Sequence, residues 1–249
     1  MTDEDLLRLR GLFEVMERLR APGGCPWDRA QTHLSLLPYL LEETYETMEA
    51  VEQGRLAGVA EELGDLLVEV AMHAAIAGEA EGFGIGDIAE RATAKMVGRH
   101  PHVFGDLEVS GIDQVRRNWE ELKRQEKPER ESPLDGIPPA LPALALAQAV
   151  LRRQPDPPSR EQANQELQAA LALLGAADSQ ALAEELAGRL LYAAVALART
   201  HQVDAEGALR RQVEHRRQSL RQADLERARI KVTDGGSQGA GSARGGEFA

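Results

Sequence analysis

A chain of 249 residues has room for one large domain or two small ones, and 43% hydrophobic residues with only 4% aromatics favour helices over sheets. The formal net charge of −12 argues against a general nucleic-acid binder, which needs a basic face to neutralise phosphates. The single cysteine, Cys25, rules out an internal disulfide, no apolar run approaches the ~20 residues of a membrane span, and "MTDEDLLRLR" lacks the apolar stretch of a signal peptide; the expectation is a soluble cytoplasmic protein without a nucleic-acid or membrane partner.

Leu6, Leu9, Phe13 and Met16 stand at helical spacing and predict a first amphipathic helix. "APGGCPWDRAQTH" breaks it with Pro and Gly and reads as a loop. Pro38 suits the first turn of a second helix running to about Val51 and closed by Gly54, and a third follows over roughly 57–80. Asp87 is the expected N-cap of a fourth helix that stops before Pro101, and Asp113 that of a further helix over "DQVRRNWEELKRQEK". "KPERESPLDGIPPALP", with five prolines, reads as a linker. Beyond it, Ala/Leu-rich segments predict helices at about 141–153, 160–174, 178–201 and 204–229, before a Gly/Ser-rich end with no hydrophobic pattern. The expected domains are therefore 1–127, helical; 128–142, a Pro-rich linker; 143–230, helical; and 231–249, a disordered tail.

There is also a weak internal repeat. "EELGDLLVEVAMHAA" from Glu61 is echoed by "EELAGRLLYAAVALA" from Glu184, and "LLEETYETM" more faintly by "NQELQAALALL". The expected architecture is all-α, one helical unit duplicated with its second copy degenerate.

The distribution of charge points to chemistry. Between residues 36 and 90, thirteen Asp/Glu accompany a single basic residue, Arg55. On a wheel of 100° per residue, Leu37, Leu40, Leu41, Thr44, Met48 and Val51 form one arc of the second helix, the expected core side. Glu43 and Glu46 stand one turn apart elsewhere, with Glu42 and Glu49 beside them. The third helix repeats the pattern, with Glu62 and Asp65 one turn apart and Glu69 near their face. Solvated acidic faces usually interleave Lys or Arg, because like-charge pairs at i,i+4 each destabilise by ~0.2–0.5 kcal/mol. Repulsion left uncompensated on two consecutive helices implies neutralisation by something outside the chain. Hard divalent cations, Mg²⁺ above all, take carboxylate oxygens and complete their shell with water and substrate phosphates.

The ordered motifs "EETYE" (42–46), "EELGD" (61–65), "GGCPWDRAQTH", "GRHPHVFGD" and "NWEELKRQEK" resemble the MazG branch of the all-α nucleoside triphosphate pyrophosphohydrolases, from about Leu6 to Lys127. The resemblance implies a four-helix unit that dimerises, binds Mg²⁺ (or Mn²⁺), and cleaves a nucleoside triphosphate to the monophosphate and pyrophosphate. Carried over, the metal ligands are Glu43, Glu46, Glu62 and Asp65. Glu42 is a candidate catalytic residue beside Glu43, its role open between ligand, water-orienting group and base. Lys95, Arg99, Trp119 and Lys123 are implied nucleotide contacts. Trp27 remains open between a packed loop anchor and a base-stacking platform, and before the resemblance is applied Trp119 is as readily a core residue.

The second copy departs from the signature. Arg189 stands where Asp65 does, Leu186 where Glu62 does, and "QELQA" replaces "EETYE", leaving Glu166 but ending in Ala169. That copy is expected to bind no divalent ion and to be structural. The alternative for the whole chain is a helical scaffold or regulator that binds nucleotides without turnover.

Overall fold

A computed structural model of the chain describes residues 1–80 and 82–236. Every regular element among the described residues is an α-helix. They divide into two compact units, Met1–Glu126 and Lys127 onward, each with its own core.

In the first unit, α1 (Asp3–Arg20) opens with a capping box: the Thr2 hydroxyl accepts from the Asp5 N–H and the Asp5 carboxylate accepts from the Thr2 N–H. Acids fill its first turn and arginines its last, as the helix dipole favours. The chain then turns sharply at Gly23, whose φ is +83°. A Cβ on Gly24 would collide with the backbone carbonyls of Arg18 and Leu19, so only glycine fits there. A short helix, α2 (Pro26–Ala30), lies inside the segment expected to be loop.

Next, α3 (His33–Glu52) starts five residues before Pro38, because Thr32 and Ser35 form a second capping box. Pro38 sits inside the helix and leaves only the Leu34 carbonyl without its backbone donor; Leu34 is solvent-exposed, so water can serve that group. Beyond it come α4 (Leu56–Ala80), α5 (Ile85–Arg99), the short α6 (Pro101–Phe104) and α7 (Ile112–Gln125). Gly84, not Asp87, is the N-cap of α5; Asp87 is three residues in and accepts from the Gly84 N–H at 2.9 Å. Likewise Gly111, not Asp113, caps α7.

The core of this unit joins α1, α3 and α4 through Met16, Leu36, Ala71, Met72 and Ile76, with Leu12, Phe13, Leu19 and Val68 around them. The α3/α4 pair is antiparallel: His33 meets His73, Glu43 lies beside Asp65, and Ala50 lies beside Gly58. The inward stripe of α3 differs from the expected arc. Leu36 and Ala50 are buried, whereas Leu37, Leu41 and Val51 are each more than half exposed. The line Leu36, Leu40, Glu43, Thr47, Ala50 therefore faces α4, carrying Glu43 into the seam.

The second unit contains α8 (Ala143–Arg153), α9 (Arg160–Leu174), α10 (Gln180–Thr200) and α11 (Ala205–Gly236). Ser159 and Ser179 cap α9 and α10. Leu151, Ala163, Val195 and Ala196 form the core. Arg153 donates to the Asp135 carbonyl at 2.9 Å, fastening the Pro-rich segment to α8. The last helix continues to Gly236, past residue 231 where the tail was expected to begin; nothing before the paired glycines there stops helix propagation. The rest of the expected tail, 237–249, lies outside the described residues.

Candidate active site

Because α3 and α4 run antiparallel with short connecting geometry, acids at 43 and 46 on one helix meet acids at 62, 65 and 69 on the other. Carboxylate oxygens of Glu43, Glu62 and Asp65 all lie within 4.8 Å of one another. Packing against α4 desolvates the Glu43 carboxyl and pushes its pKa up, and the charges of Asp65, Glu46, Glu62 and Glu42 push it further. Glu62 is raised by desolvation, by its acidic neighbours Glu46, Glu61 and Asp65, and by a hydrogen bond shared with Glu46. The donor set is all oxygen with no nitrogen or sulfur, which fits a hard divalent cation.

Of the four signature acids, three thus converge. Glu46 is exposed and bonded to Glu62, and Glu42 is exposed on the outer flank of Glu43. A fifth acid, placed near the face of Glu62 and Asp65 by its spacing, was not counted among the ligands. Glu69, one turn beyond Asp65, is only 8% exposed and its Oε2 has no protein hydrogen-bond partner. Desolvation and the charge on Glu43 raise its pKa. Its spacing from Asp65 was the available signal, but spacing alone does not report burial.

The cationic and aromatic candidates form a second cluster on α5 and α7. Arg99 donates to both oxygens of Glu126, at 3.0 and 2.5 Å, and its guanidinium lies 5.1 Å from the centre of the Trp119 ring. His100 meets the same ring edge-on at 5.1 Å and donates from Nδ1 to the Met96 carbonyl. Lys95 is exposed one turn before Arg99, and Lys123 is half-buried one turn after Trp119. Trp27, in α2, is half exposed and packs edge-on against Tyr39 of α3 with ring centres 6.0 Å apart.

In the second unit an ion pair joins α9 and α10. Arg189 donates from Nε and Nη2 to Glu166 at 3.0 and 2.6 Å, while Leu186 is buried.

Residues 31–104 match the model of the MazG nucleotide pyrophosphohydrolase domain. The chain is 42% identical over 209 residues to the nucleoside triphosphate pyrophosphohydrolase/pyrophosphatase MazG of Thermotoga maritima, covering 80% of this chain and 79% of that one. It is 37% identical over 213 residues to the nucleoside triphosphate pyrophosphohydrolase of Escherichia coli K12, covering 80% and 81%. A crystal structure of a mazG-related protein from Thermotoga maritima aligns with 46% of this chain and 98% of its own at 30% identity and a TM-score of 0.40. Identity at that level along four-fifths of both chains means that this protein belongs to the MazG family of nucleotide pyrophosphohydrolases.

Proposed function

We propose that this protein hydrolyses nucleoside triphosphates, ribo- or deoxyribo-, to the monophosphate and pyrophosphate with Mg²⁺ (Mn²⁺ serving in its place), clearing surplus or non-standard nucleotides in the cytoplasm. The observation that carries this reading is the convergence of Glu43, Glu62 and Asp65 oxygens within 4.8 Å. These three would hold the ion, with Glu46 supporting Glu62. When bound, the ion would offset phosphate charge and acidify a coordinated water.

The remaining work falls to the chain's own groups. An oxygen of water forms a bond to the α-phosphorus, the bond from that phosphorus to the α,β-bridging oxygen breaks, and pyrophosphate leaves. Glu42, exposed beside Glu43, would orient that water and take its proton. Lys95 and Lys123 would pair with the outer phosphates, and Trp119 and Trp27 would contact the nucleoside. Arg99 reaches a phosphate only by leaving Glu126, so its first role is to hold Trp119. We read the second unit as an altered copy of α3/α4 in which Arg189, paired with Glu166, would stand in for the ion, and we infer that this unit is not catalytic. The exposed apolar face of α3 and α4 supports a homodimer.

The deciding experiment is to incubate the protein with Mg²⁺ and single NTPs or dNTPs and identify the products. Monophosphate plus pyrophosphate is expected, with Glu43→Gln and Asp65→Asn each lowering kcat by about 10²-fold or more. Diphosphate plus orthophosphate, or no turnover, overturns the reading.

A further inference from the structure

Arg20 is a buried charge that the proposed chemistry does not use. Its side chain is 5% exposed and makes four hydrogen bonds. Nε and Nη2 donate to the two carboxylate oxygens of Glu79 at 2.9 and 2.8 Å, while Nη1 donates to the backbone carbonyls of Asp28 at 2.5 Å and Gln31 at 3.2 Å. The end of α1, the α2 segment that follows it and the distant end of α4 thus meet on one guanidinium. Arg20 is the buried member of this pair while Glu79 is half exposed, so the guanidinium must have its donors satisfied in place, and two of its four hydrogen bonds go to backbone carbonyls. What it secures is a backbone conformation.

That backbone belongs to Trp27. Gln31 is fixed from both sides: its backbone carbonyl accepts from Arg20, its Nε2 donates to the Trp27 carbonyl at 3.1 Å, and its Oε1 accepts from the Ser35 hydroxyl at 2.6 Å. The carbonyls of residues 27, 28 and 31 are therefore all pinned. Gly24 tightens the same turn, since no Cβ can pass the α1 carbonyls. The Trp27 ring, held this way, stands edge-on against Tyr39. Tyr39 precedes Glu43 by four residues, about one turn or ~6 Å along α3, and falls within the same ~100° arc as Glu42, Glu43 and Glu46. An aromatic surface still half open to solvent is thus fixed one turn from the acidic cluster.

The geometry points to Arg20 as a positioning residue that, through the pinned α2 carbonyls, sets Trp27 on Tyr39 to stack the nucleobase of the substrate. This rests on the nucleotide-hydrolysing reading above and adds to it where the base goes and what orders that subsite. Stacking on one indole with no base-edge donors is tolerant of base identity.

The test compares Trp27→Ala, Arg20→Gln and Glu79→Gln with wild type, in kinetics and in binding. Removing the ring is expected to raise KM about tenfold or more, with kcat within about twofold, because the contact holds ground and transition states alike. Arg20→Gln should reproduce that KM change, and Glu79→Gln, which weakens the anchor without touching the loop, a smaller one. Inhibition by inorganic tripolyphosphate, which has no base, should be unchanged in all three. In a Trp119→Phe background Trp27 is the sole tryptophan; nucleotide should quench its emission, and Arg20→Gln should abolish the quenching.

Unchanged KM for Trp27→Ala, or matching losses toward tripolyphosphate, overturns the stacking role. A folded Arg20→Gln with wild-type KM and quenching overturns the positioning role. If Arg20→Gln does not fold, Glu79→Gln decides. If wild type turns over no nucleotide but Trp27 is still quenched, the subsite stands and the hydrolase reading falls.

Discussion

At the scale of single residues, the acidic cluster is a place where the fold holds like charges together. Glu43, Glu62 and Glu69 all have raised pKa values, each chiefly through desolvation and then through acidic neighbours. A carboxyl raised in the folded state binds a proton that the unfolded chain has already released. Stability from these groups is therefore present at low pH and is lost as pH rises from their ordinary value of 4.5 through the raised folded values. At neutral pH the metal-free seam is held against its own charge. Glu43→Gln should therefore raise the metal-free Tm at pH 7.5 by ~2–5 °C, leave it nearly unchanged near pH 4.5, and abolish the further gain that Mg²⁺ gives wild type. Scanning fluorimetry in chelator and in Mg²⁺ at the two pH values reads all three. A fall in the metal-free Tm at pH 7.5 would mean that Glu43 is stabilised by partners rather than strained by neighbours.

At the scale of elements, the α9/α10 seam of the second unit makes the complementary case. Arg189 and Glu166 are each about half exposed, so their ion pair contributes little to stability, ~0–1 kcal/mol as for surface pairs generally. What it does is neutralise Glu166 without a metal. Arg189→Ala should leave nucleotide turnover within about twofold of wild type, and the amount of Mg²⁺ bound per chain, measured by calorimetry, unchanged. Loss of turnover would assign the second unit a direct part in the chemistry. The helices around both seams were legible in the sequence because their apolar spacing and glycine or proline stops are local. The start of α3 was missed because Thr32–Ser35 outweighs Pro38, which a helix tolerates when the freed carbonyl faces water. The inward face of α3 was missed for a different reason. Hydrophobic periodicity cannot tell a stripe that faces a core from one left on the surface, and α3 has both: Leu36 and Ala50 inside, Leu37 and Leu41 outside. The signature acids were visible as a pattern, but the burial of Glu69 and the contacts of Arg20 arise from tertiary packing and leave no periodic trace.

At the scale of the whole molecule, that outer stripe asks for a partner. On α3, Leu34, Leu37, Leu41 and Tyr45 are exposed, and on the neighbouring α4 so are Leu63, Leu67 and Val70. An apolar surface spread over two adjacent helices exceeds what scattered exposed leucines on a monomer explain. It flanks the acidic cluster, whose own residues interleave with it along both helices. A second copy of the first unit, apposing the same face about a two-fold axis, would bury it with one self-complementary patch. A stable interface of this kind needs roughly 800 Å² from each partner, which two helices of 20 and 25 residues are long enough to supply. Leu37→Glu combined with Leu67→Lys places charges on this face without touching the core around Leu36. In light scattering the wild type should run as a dimer and the double variant as a monomer with unchanged helical circular dichroism. Turnover should fall with the dimer, since the open side of the acidic cluster would then face bulk water. If the double variant remains dimeric, the contact lies instead on the second unit, where Leu171, Leu191, Leu209 and Val213 are also exposed.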